Sequence, residues 1–399
     1  MTDRPRTAGA HKHPRTAVVV GGGIAGLATA IALAQADWEV TVLEQAAVFW
    51  EAGAGLTITP NGERALAAIG VADAVREAGH RVKPTGIRAD DGRWLVQLPS
   101  GPGALEAIGI HRRSLHAILV DAANLVTDLR PGSRVLGLDV GASPGRQARV
   151  RWLEGSDERV ASTDLLVGAD GVNSVVRQGV APAADVRHSG FTAWRAVIRD
   201  AELLGPDWTT WWGNGVEFSA QRIAPDRISW HCLVPHDGRA SMADDLNRVQ
   251  QLVATWPDAV RKVVSLTAAD SIFRHDISTV HGEVRSFSAG RTVLVGDAAH
   301  PLLPTVSQGA NLGLEDGVTL GALLHARDDV ARGLQRFDQS RLPRSRRIAK
   351  AARLFARIGA GCPVGLEQVL RDAVLQRLPT RTCTNFLGGL TDWRPPSEG

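Results

Sequence analysis

The chain has 399 residues, of which 44% are hydrophobic and 22% charged, enough for a large buried core and for two domains. Its 45 basic and 42 acidic side chains are interleaved, and almost all the basic ones are arginine, so no phosphate-tracking stripe and no nucleic-acid partner is expected. Three cysteines (Cys232, Cys362, Cys383) without a CxxC or metal-ligand spacing point to no disulfide, no metal and a cytoplasmic location, and no apolar run approaches membrane-spanning length, so no membrane partner is expected.

The first sixteen residues, MTDRPRTAGAHKHPRT, are polar and basic and lack a hydrophobic run or cleavage site, so they read as a disordered tail. Ala17–Gln45 then reads as a βαβ unit: an apolar strand AVVV, a helix of small and aliphatic residues, and a strand EVTVLE that ends in an acid. A glycine-rich turn and a helix follow in EAGAGLTITPNGERALAAIG, and GIRADDGRWLVQLP reads as a hairpin turning at Asp91-Gly92. A helix begins near RSLHAILVDAAN, RVLGLDV and ARVRWLE read as strands, and Thr163–Gln178 is again strand, turn, helix. From about Val186 to Ile277 the chain alternates in FTAWRAVI, TTWWGNGVEFSAQRI and DRISWHCLVP. That reads as a mostly antiparallel sheet, interrupted by a helix over SMADDLNRVQQLVATW. The α/β pattern returns at RTVLVGDAAHP, and from about Gly317 the chain is helical and Arg-rich, with RLPRSRRIAKAARLFAR reading as the polar side of a helix. One nucleotide-binding domain is thus assembled from separated pieces, with a sheet domain inserted.

In GGGIAG, Gly21, Gly23 and Gly26 have the G-x-G-x-x-G spacing between strand and helix. The first allows a tight turn, the second lets backbone approach a pyrophosphate, and the third lets helix pack on strand. Glu44 ends the second strand about 20 residues on, where a carboxylate accepts from ribose hydroxyls. Two later turns, GADG (Gly168–Gly171) and GDAAHP (Gly296–Pro301), also follow apolar strands.

With GGGIAG, GADGVNSVVR and GDAAHPLLPTVSQGANLGLED in this order, the chain resembles the class A, para-hydroxybenzoate-hydroxylase-like FAD monooxygenases. FWEAGAGLTITPNGERAL, HRRSLH, FTAWRAV and LTDWRPP extend the likeness over nearly the whole chain, closest to the salicylate-hydroxylase and zeaxanthin-epoxidase branch. The resemblance implies an α/β fold. A discontinuous Rossmann-type FAD domain of the glutathione-reductase kind (17–80, 103–185, 286–345) would carry an inserted sheet domain for substrate (81–102, 186–285) and a helical C-terminal region (346–399). It also implies cofactor contacts by Gly21, Gly23, Ala25, Gly26, Glu44, Gln45 and Gly55. Arg112 and Asp170 are further expected contacts, Asp297 would meet the ribityl chain, Pro304 the ring, and Gly309, Ala310, Asn311 and Leu312 the pyrimidine edge. His300 reads as a turn residue beside the cofactor.

The substrate side is less marked. Six of the eleven tryptophans fall in the sheet domain's larger piece, 186–285, and Trp211 and Trp212 must face opposite ways if they share a strand. Thr57, Thr59, Arg195, Trp211 and Trp230 are pocket candidates, and His231 is the candidate acid or base. The implied reaction takes electrons from NAD(P)H and oxygen from dioxygen, through a flavin C4a-hydroperoxide, to hydroxylate or epoxidise a hydrophobic aromatic or unsaturated small molecule, with secondary metabolism as its setting and a monomer or homodimer as the working form. Alternatives are a related flavoprotein with an oxidase, reductase or halogenase outcome, the last without its WxWxIP signature here, and a non-catalytic metabolite-binding protein.

Overall fold

The computed structural model describes residues 14–49, 53–101, 103–143, 145–199, 208–236, 245–282, 284–325 and 329–396. Residues 1–13 of the expected tail and the amino end of the helix expected from Ser241 lie outside these. Thr16, assigned to the tail, already belongs to the first strand.

The βαβ unit is β1 (Thr16–Val20), α1 (Ile24–Gln35) and β2 (Glu39–Leu43). After β3 (Gly55–Ile58), α2 (Pro60–Ala68), α3 (Ala72–Ala78) and β4 (His80–Val82) comes a hairpin, β5 (Pro84–Ala89) and β6 (Trp94–Gln97). Gly92 turns it with φ +89°. Then follow β7 (Ala107–His111), α4 (Arg112–Asn124), β8 (Asp128–Arg130), a meander of β9 (Ser133–Asp139), β10 (Ala148–Glu154) and β11 (Asp157–Thr163), β12 (Leu165–Gly168) and α5 (Val175–Val180). The alternating stretch forms β13 (Asp185–Arg199), β14 (Trp208–Gly213), β15 (Val216–Ala224), β16 (Arg227–Pro235), α6 (Asp245–Leu252), α7 (Asp258–Ser265) and β17 (Phe273–His281). Helix α7 lies within the stretch read as mostly antiparallel sheet, where no second helix is expected. Its Val260, Val263 and Val264 are buried at helical spacing, although their β-branched chemistry suits either state. The chain closes with β18 (Ser288–Ala289), β19 (Thr292–Leu294), α8 (Gly309–Leu323), α9 (Val330–Ile358), α10 (Leu366–Leu375) and α11 (Thr380–Thr391).

A six-stranded sheet in the order β18-β19-β12-β1-β2-β8 gathers strands from both ends of the sequence. β1 pairs in parallel with β12 and β2, and such strands are covered on both faces, which is why AVVV carries no polar residue. A seven-stranded sheet in the order β17-β13-β16-β15-β14-β5-β6 is antiparallel except where β14 meets β5. Its two faces differ. Trp194, Trp211, Phe218, Trp230 and Cys232 build an apolar layer with Val249, Val253 and Trp256 and with α7. The opposite face carries polar side chains toward the nucleotide domain.

Helix α8 lies against α1 without the usual side-chain spacing. Gly313, Gly317 and Gly321, four residues apart, fall on Ala25, Ala28–Thr29 and Ala32, and a Cβ on Gly317 would lie 2.7 Å from the Thr29 nitrogen. This close approach fixes α8 over the βαβ unit. The Arg-rich stretch from Arg341 is not simply a solvated face: Arg341 and Arg344 turn inward to Asp316 and Glu315.

Candidate active site

A cavity of about 730 Å³ runs from the β1–α1 turn to the polar face of the seven-stranded sheet. Its first wall is the glycine turn. Gly21 has φ +105°, and a Cβ on Gly26 would sit 1.9 Å from the Gly21 oxygen, so neither position accepts a side chain. Gly23 precedes α1 with no side-chain cap, which leaves the first-turn N–H groups and the positive dipole end for an anion. Glu44 is held in place by the N–H groups of Gly22 and Ala46, each at 2.8 Å. His116, buried under the turn, contacts the Gly22 carbonyl at 2.7 Å.

The far wall is the start of α8. Pro304–Val306 forms a tight turn, Ser307 takes a left-handed φ of +51°, and the first helical bond runs from the Leu312 N–H to the Gln308 carbonyl. Gln308 provides no side-chain cap, so the N–H groups of Gly309, Ala310 and Asn311 have no acceptor within the helix. Two uncapped, glycine-opened helix starts at the two ends of one cavity suit a long ligand with a pyrophosphate and an electron-rich ring edge. These residues therefore fit FAD.

Of the residues expected to touch cofactor, Gly21, Gly23, Ala25, Glu44, Gln45, Gly55, Arg112, Asp170, Asp297, Pro304, Gly309 and Ala310 line the cavity. Gly26, Asn311 and Leu312 do not. Gly26 serves helix packing, and Leu312 is fully buried. Asn311 points away: its amide donates to the carbonyls of Thr57 (2.9 Å) and Ser307 (2.7 Å) and its oxygen accepts from the Thr59 N–H (3.1 Å), stitching β3 to α8. Asp170 borders the cavity but is already engaged. Its oxygens accept from the Ser174 hydroxyl at 2.5 Å and the Val175 N–H at 2.7 Å, capping α5, while burial pushes its carboxyl pKa up.

On the substrate side, Thr57 and Arg195 line the cavity and Thr59 and Trp211 do not. Thr59 is buried and bonds Asn61 at 2.7 Å. Trp211 points into the apolar layer, edge-on to Phe218. Trp230 borders the cavity, but its indole stacks on Phe218 at 5.5 Å and donates to Thr267 at 3.0 Å, on the other side of the sheet. Alternation along β14 and β16 explains both corrections: Trp208 and His231 take the cavity face instead. His231 lies across β13 from Arg195 and across β15 from Ser219. Its Nε2 is 3.3 Å from Glu217 Oε1, and the buried Glu217 takes the Trp212 indole N–H on Oε2 at 2.8 Å. Burial lowers the Arg195 pKa to about 10, with Arg112 acting the same way and Asp297 opposing, so the guanidinium stays charged at neutral pH.

Sequence reasoning missed Glu217, Trp208, Gln221 and Arg177. The buried Arg177 donates to the Ala298 carbonyl at 2.9 Å and to Val172, joining the GADG turn to the GDAAHP turn. An arginine in the first turn of the helix after GADG, six residues beyond Gly171, was the available signal. His188, His236 and Asp276 bring possible metal-ligating atoms within 4.8 Å of one another, but all three are exposed and lie outside the cavity wall, with Asp276 also bonded to Thr192 and Arg274.

A family model for an FAD binding domain matches residues 15–352. Aurachin C monooxygenase/isomerase from Stigmatella aurantiaca is 30% identical over 93% of this chain and 97% of its own length. 3-Amino-4-hydroxybenzoate 2-monooxygenase from Streptomyces cremeus is 33% identical over 95% and 96%. In fold, the chain matches Klebsiella pneumoniae HpxO, solved with FAD and uric acid, with a TM-score of 0.83 at 24% identity over 94% of this chain and 96% of that one. A salicylate hydroxylase substrate complex gives 0.76 at 18% identity over 96% and 97%. The turn that leaves room for a pyrophosphate, the open start of α8 and this full-length kinship agree: the chain belongs to the para-hydroxybenzoate-hydroxylase-like, FAD-dependent monooxygenases.

Proposed function

We propose that the protein uses FAD, NAD(P)H and dioxygen to hydroxylate a planar aromatic or heteroaromatic small molecule that carries an ionisable group. One observation carries this reading: a charged Arg195 and a carboxylate-held His231 share the sheet face that looks across the cavity at the start of α8. One named relative supports it, since 3-amino-4-hydroxybenzoate is such a molecule.

Bound FAD supplies hydride acceptance and oxygen transfer. The chain supplies everything else. The first-turn N–H groups of α8 and its positive dipole end would favour negative charge on a ring edge held by Gly309 and Ala310. Arg195 would orient an anionic substrate in the cavity. With Nε2–H directed at Glu217, His231 keeps Nδ1 as the acceptor for a substrate proton, and Glu217 then stabilises the imidazolium. Leu302, Leu303 and Pro304 form an apolar wall that limits water. The free thiols Cys232, Cys362 and Cys383 fit a reducing compartment, and we place the enzyme in the cytoplasm.

The test is a panel of hydroxylated aromatic and heteroaromatic acids, scored for stimulated NAD(P)H oxidation by the FAD-loaded enzyme under isotope-labelled dioxygen. One labelled oxygen atom in the product is expected. Stimulated oxidation that yields only hydrogen peroxide with every compound would overturn the reading.

A further inference from the structure

Helix α10 turns mainly polar residues inward. Leu375 packs on the cluster of Ala89, Leu95 and Trp212, but beside it Asp372 is 2% exposed and accepts from Arg93 and from Arg371, each at 2.7 Å, and Gln368 accepts the Asn214 N–H at 3.0 Å. Its outward face is aliphatic: Leu366 is 70% exposed, Val369 62%, Leu370 56% and Val374 60%. At helical spacing these four form one stripe, which a surface helix of a soluble domain ordinarily buries. Val364 before the helix and Leu378 after it extend the stripe. Arg371 ties α10 to the end of α9 through the Ile358 carbonyl at 3.0 Å, and one turn earlier on α9 the exposed Leu354 joins the apolar set.

The charge of this region decides what covers the stripe. Residues 330–399 hold 13 Lys and Arg against 5 Asp and Glu, whereas residues 1–329 hold 32 against 37. The exposed arginines Arg353, Arg357, Arg377 and Arg381 fall in the same segment as the stripe. A second copy of the chain docked by the same face would set one basic region against another, because a two-fold contact repeats the same patch on both sides. An aliphatic helix face amid basic side chains is instead complementary to an anionic bilayer surface, where the apolar stripe reaches the acyl boundary and the arginines meet phosphates. The helix is only 10 residues long, and no helix of the described residues can cross a membrane, so the contact is peripheral.

We infer that α10 docks the enzyme on an anionic phospholipid surface. Leu354 also lines a second cavity, of about 1180 Å³, whose wall residue Leu302 is shared with the cofactor cavity. The inference does not depend on which ring the enzyme oxygenates.

The experiment is flotation of the FAD-loaded full chain with phosphatidylglycerol-containing vesicles, against vesicles of phosphatidylcholine alone. The wild type is expected to float with the anionic vesicles and to be released by high salt, which screens the arginines. The double variant Leu370→Glu, Val374→Glu should lose binding by about tenfold or more while keeping its flavin absorbance and its NAD(P)H oxidation rate. Sedimentation of both proteins without lipid reads the competing occupant. Failure of the wild type to float, equal flotation of the variant, or a concentration-dependent dimer that the variant abolishes would each overturn the inference.

Discussion

In the proposed mechanism the acid–base chemistry turns on one buried carboxylate. Glu217 holds His231 at 3.3 Å and is itself fixed by Trp212 at 2.8 Å, and a Cβ on Gly359 would press on its second oxygen at 2.9 Å. Glu217→Gln preserves the shape and an acceptor for Trp212 but removes the charge that orients the imidazole. The expected result is a fall in kcat of about tenfold to a hundredfold with KM changed less than about twofold. An unchanged kcat would remove His231 from the proton path. Arg195→Met tests the other charge: for an anionic substrate KM should rise about tenfold or more, the loss of a charge-assisted hydrogen bond, and far less for a neutral analogue. His231 and Arg195 were legible as types of residue in an alternating strand. The phase of that strand was not, because TTWW offers tryptophans to both faces. Only the pairing of β14 with β15 shows that Trp208 and Trp212, not Trp211, share the face of Glu217 and Ser219.

At the scale of elements, the α1–α8 contact sets the distance between the two ends of the cofactor cavity. Both helices present almost nothing but small side chains at their crossing, so the backbones meet. Adding a Cβ at Gly317 places it 2.7 Å from the Thr29 nitrogen and 2.9 Å from the Ala28 carbonyl carbon, with no flexible side chain to yield. Gly317→Ala should therefore cost about 1–3 kcal/mol despite the better helix propensity of alanine. Gly309→Ala, where nothing lies within 4 Å of an added Cβ, should leave the stability of the cofactor-free protein within about 0.5 kcal/mol. Urea denaturation of the two variants separates these outcomes, and equal midpoints would show that the helices can part without cost. Most of these elements could be read from the chain, because the βαβ unit and the long helices have a single period. Helix α7 could not, since eight residues rich in valine fit a strand as well as a helix. The glycine spacing 313, 317, 321 was visible as sequence but not as a contact, because nothing local says which helix lies opposite.

The molecule as a whole is tied together by a buried ionic network that composition hides. Asp316 accepts from His300 Nε2 at 2.6 Å, from the Gly296 N–H at 2.8 Å and from Arg341 Nε at 2.7 Å. Glu315 beside it forms an ion pair with Arg341 at 2.7 Å and accepts from Arg344 at 2.6 Å and from the Asn61 amide at 2.6 Å. Arg344 continues to Asp392 at 2.9 Å and to the Leu390 carbonyl. The turn that carries Asp297, both long helices and the end of α11 thus share one set of charges. Read from the sequence, these arginines belong to a basic, solvated helix, because their acids lie 25 or more residues away.

The network makes stability depend on pH in both directions. Burial disfavours charge on His300, but Asp316 outweighs it and raises the imidazole pKa. The stabilisation from His300 is therefore complete below its unfolded value of about 6.5 and is lost as pH rises through the folded pKa. Burial likewise disfavours charge on Asp316, but His300 and Arg341 hold its carboxyl down to about 2. That contribution is complete above about 4 and disappears as pH falls toward the folded value. The FAD-loaded enzyme should accordingly show a Tm that falls as pH rises above about 6.5 and again in acid. His300→Gln should flatten the alkaline fall and retain the acid one, since Arg341 still faces Asp316. Asp316→Asn should lose both and destabilise by about 3–5 kcal/mol near neutral pH, because the charge of Arg341 then stays buried without its second partner, with the gap to the wild type closing in acid as Asp316 itself is protonated. Thermal unfolding at fixed excess FAD, scanned across pH for the three proteins, reads all of this. An alkaline slope in His300→Gln equal to that of the wild type would assign the fall to another group and leave His300 a packing residue of the turn.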